Sequence, residues 1–229
     1  MTRLTVPEKI LGFCIFWFVC SLLRFVTAIF LWGSWVVPGK RKHLSGKCQL
    51  VIARHRSRWD IPLISLTAIT TRTLFIARKG LSALQWIEQN PKLLKILSGK
   101  YIVFVDRGKI APEDAKLVTD AIQDGWHKYV VIFPEGATRA IDKEINPGFI
   151  VMAKRYKVPI RPVNIVPWGC YGRDNGESAK KILTFRALFT KIKVGKPFFV
   201  SDIVVNNPEK EKPSFQELAD RAMEMIDRV

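Results

Sequence analysis

Cysteine is scarce in this sequence, with four residues in 229, and no two of them form a C-x-x-C pair. Cys14 and Cys20 lie in an apolar stretch that water-borne chemistry cannot easily use. The spacing therefore implies neither a zinc site nor a disulfide framework, and we expect no metal. Internal repeats and low-complexity segments are also missing, so composition favours one globular domain with an appendage.

Acidic residues are few as well, 20 against 37 lysines and arginines, which gives a net charge of +17. The excess lies between residues 39 and 205, because the net charges of the segments before and after, +2 and −2, cancel. A field of this sign attracts anionic membrane surfaces, nucleic acids and phosphorylated cofactors. Charge alone does not distinguish among these partners.

The amino-terminal segment favours a membrane. From Ile10 to Val37 the only charged residue is Arg24, and Trp17, Trp32 and Trp35 could lie at headgroup level. The run is long enough for one tilted transmembrane helix. However, a central arginine costs about 3 kcal/mol on insertion scales, and two short helices in one leaflet avoid that cost. We therefore slightly favour a one-leaflet anchor over a single span.

Two further features bear on this segment. The apolar run is too long for a cleavable signal peptide, and no small-x-small cleavage pattern precedes the basic cluster. That cluster, at residues 40–42, should remain on the cytoplasmic side. The sequence thus predicts an anchor in residues 1–38 and a catalytic domain in residues 39–229, associated with the membrane on its cytoplasmic face.

After Gly39 the chain alternates short apolar runs with longer helical patterns. The apolar runs predict strands buried on both faces, at residues 49–53, 73–77, 101–105, 130–133 and 160–165. Helices are predicted at residues 61–71, 81–97, 112–126 and 147–156. This alternation predicts an α/β fold, a mixed, largely parallel sheet flanked by helices. Residues 180–200 should add one or two strands, and Ser214 with Glu217 forms a capping-box start for a last helix.

Polar clusters follow three of the predicted strands, at residues 54–60, 106–109 and 133–139. In open α/β sheets ligands bind just beyond the carboxyl ends of the strands. We therefore expect the three clusters to converge in space, and that edge of the sheet is where the sequence places the chemistry.

The first cluster contains His55 and Asp60. Five residues along a helix is a rotation of about 140°, so the two side chains can pair only if His55 lies in the turn before the helix. Pro62 suits a first helical turn. Asp60 would then accept the Nδ1 proton of His55 and leave Nε2 as a general base for a hydroxyl. Alternatively, Asp60 only caps the helix and His55 is a solvated loop residue.

The other two clusters contain residues suited to phosphate. Arg107 at a strand end fits bidentate phosphate binding, or else forms an ordinary surface pair with Asp106. Glu135 lies in a Pro-Glu-Gly turn followed by Thr138 and Arg139, which are possible phosphate ligands. Such a turn also occurs for purely structural reasons.

Taken together, the clusters resemble a known family, the glycerolipid (lysophospholipid) acyltransferases that include 1-acylglycerol-3-phosphate acyltransferase. Four blocks occur in the family's order over roughly residues 45–170. They are His-x-Ser-x-x-Asp at His55, Ser57 and Asp60; Gly-to-Phe-x-Asp-Arg at Gly99, Tyr101, Phe104, Asp106 and Arg107; Phe-Pro-Glu-Gly at residues 133–136; and Val-Pro-Ile-x-Pro-Val at residues 158–163. Four ordered blocks are a specific signal, unlike any one of them alone.

The resemblance implies an enzyme in which His55 acts as base with Asp60. It implies that Arg107 and the Glu-Gly block hold the acceptor's glycerol phosphate, and that the acyl donor is a thioester, acyl-CoA or acyl-ACP, with no cofactor. The substrate-binding residues expected on this basis are Ser57, Arg78, Arg107, Glu135, Gly136, Thr138 and Arg139. The partners expected are the lipid bilayer, a lysophospholipid and the acyl carrier, and not a nucleic acid.

The sequence also departs from the family. Ala137 intervenes between the Glu-Gly pair and Thr138 and Arg139, Arg78 stands where many members have Lys, and Arg54 replaces an Asn common before the catalytic His. We predict transfer of a fatty acyl group to lysophosphatidic acid, giving phosphatidic acid. The alternatives are acylation or transacylation of another lysophospholipid or lipid-like acceptor, and a non-catalytic basic peripheral membrane protein.

Overall fold

The computed structural model of the chain describes residues 5–30, 35–37, 48–54, 60, 64, 72–80, 84–106, 111–135, 145–166, 191–203 and 213–229. Within them the helices are α1 (Val6–Phe30), α2 (Gln85–Glu88), α3 (Pro91–Leu97), α4 (Pro112–Gln123), α5 (Gly148–Tyr156) and α6 (Phe215–Arg228). The strands are β1 (Trp35–Val37), β2 (Gln49–Ala53), β3 (Thr73–Arg78), β4 (Ile102–Val105), β5 (Tyr129–Ile132), β6 (Ile160–Val166) and β7 (Lys191–Val194).

These strands form one sheet in the order β1-β7-β6-β2-β5-β3-β4. Strands β6, β2, β5, β3 and β4 are mutually parallel, whereas β7 is antiparallel to β6 and β1 is parallel to β7. The predicted α/β fold with a mixed, largely parallel sheet is confirmed. The five strands predicted from apolar runs are confirmed too, because strands covered on both faces contain few polar residues.

Both faces of the sheet are buried. Leu50 of β2 and Val130 of β5 face one core, to which α4, α5 and α6 contribute side chains such as Val118, Phe149 and Met223. Residues on the opposite face, including Val51 and Val131, form a second core with Ile64. The parallel strands are thus held between layers of helix, and their carboxyl ends are left at one edge.

The amino-terminal helix α1 packs against the β4 side of the sheet. Its buried stripe recurs every four residues, at Gly12, Phe16 and Cys20, and Phe16 stacks on Tyr101. At its first turn Glu8 accepts a hydrogen bond from Lys95 of α3, with Oε1 2.7 Å from Nζ. Over the described residues, no helix is long and apolar enough to cross a membrane.

The preferred arrangement of two short helices joined at Arg24 is wrong as a description of the backbone. Residues Val6–Phe30 form a single continuous helix. From Phe13 to Phe30 the sequence contains neither glycine nor proline, so nothing in it interrupts the backbone hydrogen bonds at Arg24.

Two other elements differ from the prediction. Residues 81–97 do not form one helix, because α2 ends at Glu88 with Gln89 as its C-cap. Asn90 then caps α3, accepting from the backbone N–H groups of Lys92 and Leu93, while Pro91 takes the first helical position. Residues Trp35–Val37, assigned from the sequence to the anchor, form strand β1 beside β7. Most of the predicted helix at 61–71 lies outside the described residues, although Asp60 and Ile64 are helical.

Candidate active site

Strands β2, β5, β3 and β4 end at the same edge of the sheet. Arg54 directly follows β2, the Pro134-Glu135 turn follows β5, and Asp106 follows β4. Because β2 and β5 are neighbours, residues after their last pairs emerge side by side. β4 lies two strands from β5, with β3 between them. The topology thus provides a row of polar strand ends, with the first and third clusters closest together.

The side chains of Arg54 and Glu135 join two of these clusters. The Nη1 of Arg54 donates to Oε1 of Glu135 across 2.7 Å, and both side chains are largely buried, with 15% and 16% of their surface exposed. The predicted convergence of the first and third clusters is confirmed by this contact. A partly buried ion pair at a sheet edge fixes the glutamate of the Pro-Glu-Gly turn in place.

The same arginine also contacts the carboxyl-terminal helix. Its Nε lies 2.7 Å from Oδ1 of Asp227, and its Nη2 lies 2.5 Å from Oδ2, a bidentate pair. The hydrogen bonds that Arg54 donates to Asp227 raise the pKa of Arg54 against the effect of its burial, and the hydrogen bond to Glu135 adds to the rise. The guanidinium is therefore a permanent cation between two carboxylates.

The second cluster forms a separate ion pair. Nζ of Lys79, just after β3, lies 2.8 Å from Oδ2 of Asp106 and 3.7 Å from Oδ2 of Asp114 on α4. The contact with Asp106 raises the pKa of Lys79. Both members of the Lys79–Asp106 pair are well exposed, so the pair is open to solvent screening. Lys79 is thus the ion-pair partner of Asp106 at the carboxyl end of β4.

Asp60 is fully buried and helical. A carboxylate without access to water requires hydrogen-bonding partners, which suits a residue that orients another group better than one that only caps a solvated helix end. Of the other predicted site residues, Arg78 is the last residue of β3, with its backbone opposite Val105. His55, Ser57, Arg107, Gly136, Thr138 and Arg139 lie outside the described residues, so their roles stay predictions.

Metal ligands were not expected from the sequence. In the part of the chain that the structure describes, His, Cys, Asp and Glu side chains form no cluster of three or more that could hold a metal ion. Asp124 and the buried His127 do pair, with Oδ2 2.6 Å from Nδ1, but the other ring nitrogen is 2.8 Å from the carbonyl of Lys100. Both ring nitrogens of His127 thus have hydrogen-bond partners within the protein.

Asp227 is the residue of this edge that sequence reasoning missed. It is 173 positions from Arg54 and lies in a helix whose pattern indicates only which face is buried. The replacement of Asn by Arg54 was the available signal, because a buried arginine beside one glutamate calls for a second acid. Nothing in the local sequence shows where in the chain that acid would be.

Comparison with known proteins places the chain in a family. No protein of curated function matches it significantly in sequence. Among solved structures, the crystal structure of the 1-acyl-sn-glycerophosphate acyltransferase PlsC from Thermotoga maritima is similar, with 18% identity, a TM-score of 0.49, and coverage of 97% of this chain and 98% of that one. Residues 36–166, more than half of the chain, match the Acyltransferase family. The chain therefore belongs to the acyltransferase family, as its motifs predicted, and is an acyltransferase.

Proposed function

We propose that the protein transfers a fatty acyl group from an acyl thioester to the free hydroxyl of lysophosphatidic acid, with His55 as general base and Asp60 as its orienting partner. The observation that carries this proposal is the ion pair between Arg54, the residue before the His-x4-Asp motif, and Glu135 of the Phe-Pro-Glu-Gly turn, at the ends of two adjacent strands. The complete burial of Asp60 supports its role as an orienting acid.

In the proposed reaction Nε2 of His55 removes the proton of the acceptor hydroxyl as its oxygen attacks the thioester carbonyl. A carbon–oxygen bond forms, and charge develops on the carbonyl oxygen of a tetrahedral intermediate. When the intermediate collapses, the carbon–sulfur bond breaks and His55 returns the proton to the departing thiolate. Asp60 keeps the imidazole in the tautomer that makes Nε2 basic and stabilises the imidazolium between these two steps.

The proposed acceptor follows from charge. Arg107, which follows Asp106 at the end of β4, and Arg139, beyond the Glu135 turn, would bring two guanidiniums to the same edge of the sheet. Two such groups suit the dianionic phosphomonoester of lysophosphatidic acid better than the singly charged diester of a zwitterionic lysolipid. Ser57, Gly136 and Thr138 complete the proposed substrate site together with Arg78, the last residue of β3.

We also propose that α1 holds the enzyme at the cytoplasmic face of a membrane. Outside its buried stripe the helix exposes large apolar side chains, among them Ile10, Phe13, Trp17 and Phe18. A helix that is apolar all round needs an apolar environment on its unpacked side. The net charge of +17 adds attraction to anionic headgroups and to the phosphates of an acyl carrier.

A panel of acceptors tests this function. The full-length protein, in vesicles, is given acyl-CoA or acyl-ACP together with lysophosphatidic acid, lysophosphatidylcholine or lysophosphatidylethanolamine. Product phospholipid is measured by mass spectrometry and thiol release by a chromogenic disulfide. We expect phosphatidic acid formation with stoichiometric thiol release. Equal use of the zwitterionic lysolipids would overturn the phosphomonoester site, and Ala137, which departs from the family pattern, would be the first residue to examine. Product formed without thiol release would indicate transacylation.

Two variants test the base. His55→Ala should lower kcat by about 10²- to 10⁴-fold with little change in the fold, whereas Asp60→Asn should leave a residual rate. His43→Ala, which removes a histidine outside the four sequence blocks, is the matched control. Near-normal turnover in His55→Ala would exclude the mechanism.

A further inference from the structure

We propose that Asp227, in the last turn of α6, is a positioning residue for acyl transfer, acting through Arg54 on Glu135 and on the backbone that enters His55. The inference rests on the proposed role of His55. It gives the carboxyl-terminal helix a role in the site, although this helix lies beyond the family match, which ends at residue 166.

All three nitrogens of the Arg54 guanidinium donate to the two acids. Nε and Nη2 take the two oxygens of Asp227, and Nη1 takes Oε1 of Glu135. Because the guanidinium is planar and its donors point in fixed directions, it sets the two carboxylates at fixed positions relative to each other. Neither acid can move without breaking a hydrogen bond to the same rigid group.

The burial of Arg54 and Glu135 gives these contacts more weight than surface ion pairs have. Arg54 and Glu135 are about five-sixths buried, while Asp227 is 40% exposed. Ion pairs on a fully exposed surface contribute little, but a buried arginine that loses one of its acids is left partly uncompensated. Loss of Asp227 should therefore reorient Arg54 and shift Glu135, rather than merely remove a surface contact.

Asp227 is itself held by the fold. Its backbone carbonyl accepts a hydrogen bond of 3.2 Å from Nδ2 of Asn164 on β6. Ile226, next to it, is fully buried in the core, and Val229 packs so closely against Gly195 that a Cβ there would lie 2.7 Å from its Cγ2. The backbone at Asp227 is thus held in place, and its carboxylate is the partner against which Arg54 is oriented.

The position of Arg54 next to His55 in the chain links this cluster to the reaction. Arg54 is the residue immediately before His55, so its side chain and the backbone that carries the base share one anchor. Glu135, on its other side, begins the Glu-Gly pair of the third block. Because a shift of about 1 Å in a reacting group can cost about 100-fold in rate, an anchor at this point matters for kcat even though it touches no substrate.

The test compares Asp227→Asn with Glu224→Gln on the same helix. Glu224 also forms ion pairs, with Arg221 and Arg228, but at the surface, so it controls for a general loss of charge from α6. Well below the midpoint of thermal unfolding, Asp227→Asn should lower kcat about tenfold with KM for the donor unchanged. Glu224→Gln should stay within twofold of the wild type, and Asp227→Glu should recover most of the loss.

A double-mutant cycle with Arg54→Gln sharpens the result. If Asp227 acts through Arg54, Asp227→Asn should cost nothing further once Arg54 is replaced, because the link is already broken. Additive losses in kcat would overturn the inference. An Asp227→Asn variant with normal kcat and a lower midpoint of unfolding would also overturn it, since a residue that only stabilises the fold would give that result.

Labelling of His55 by diethylpyrocarbonate, followed by peptide mass spectrometry, separates this inference from the proposed function. If the wild type acylates no acceptor, the proposed function fails, but the coupling can still be measured. Asp227→Asn should change the labelling rate of His55 at least threefold, whereas Glu224→Gln leaves it unaltered. An unchanged rate in Asp227→Asn would overturn the coupling whether or not the enzyme is active.

Discussion

The ring of Phe16 on α1 stacks on the ring of Tyr101, with centroids 4.2 Å apart and an angle of 19° between the planes. Both residues are buried, and Ile96 and Leu97 of α3 belong to the same cluster. The amino-terminal helix is therefore part of the packed structure along one stripe, while its remaining sides carry exposed apolar groups. Its removal would uncover Tyr101 and the adjoining core.

The first prediction concerns this contact. Phe16→Ala should lower the free energy of unfolding by about 3–5 kcal/mol, because it removes a buried aromatic side chain and leaves a cavity over Tyr101. Phe18→Ala, at a position 62% exposed on the same helix, is the control. Denaturant unfolding in detergent measures both. An equal effect of the two substitutions would mean that α1 is not docked through Phe16.

The second prediction concerns Cys48. Burial, together with the nearby charge of Asp124, raises the pKa of its thiol from 9.0 to about 12. Because the thiolate is the reactive form, iodoacetamide at pH 9 should label Cys48 in the native protein far more slowly than in denaturant. Because the folded pKa is the higher one, stability should fall as pH rises from about 9 towards 12. Rapid native labelling of Cys48 would contradict this.

The third prediction concerns a buried arginine. Arg161 on β6 is 8% exposed, and its Nε and Nη2 find no hydrogen-bond partner among the described residues. Its guanidinium lies over the ring of Tyr129, 5.6 Å from the centroid. That contact compensates only part of the cost of burying a charge. Arg161→Met should therefore stabilise the protein by about 1–3 kcal/mol, a rise of several degrees in Tm.

Arg155→Met on α5 is the matched control for this substitution, since Arg155 is exposed. Its effect should stay within about 0.5 kcal/mol, as is usual for surface changes. If Arg161→Met instead destabilised the protein by more than that, the guanidinium of Arg161 would have to contribute a favourable interaction larger than its burial cost. Thermal unfolding followed by circular dichroism measures both variants.

Most of the sheet could be predicted from the sequence, because burial on both faces gives the central strands continuous apolar runs. All five residues of Gln49–Ala53 are buried, for example. Strand β1 could not be predicted in the same way. Its three residues continue the apolar amino-terminal run, and their partner, Lys191–Val194, lies more than 150 positions away. The Asn90-Pro91 pair indicates the break between α2 and α3. The apolar pattern continues on both sides of this pair, however, and so predicts one helix.

The site was predictable to the extent that parallel topology determines it. Strands that end at one edge bring their following residues together, which explains why Arg54 and Glu135 meet. Asp227 was not predictable, because the apolar pattern of α6 identifies Leu218, Ala222 and Ile226 as its buried face but not the partners of the polar residues beside it. Contacts between polar groups far apart in the sequence depend on the completed fold.

The last prediction concerns the acceptor's phosphate. Arg107 follows Asp106, whose carboxylate is already paired with Lys79. Asp106 therefore has a cation other than its neighbour in the chain, which favours the phosphate role for Arg107 over the alternative of an Asp-Arg surface pair. If Arg107 holds the phosphate equally in the ground and transition states, Arg107→Ala should raise KM for lysophosphatidic acid about tenfold or more with kcat nearly unchanged.

If Arg107 also fixes the hydroxyl against His55, kcat should fall together with the rise in KM. The comparison is with Arg155→Ala, which removes an exposed cation from α5 and so accounts for any general weakening of membrane attraction. Steady-state kinetics are measured at fixed lipid composition and ionic strength, with lysophosphatidic acid as the varied substrate. The same KM in Arg107→Ala as in Arg155→Ala would assign the phosphate to another residue, with Arg139 the next to replace, because it is the other arginine that the motifs place at this edge.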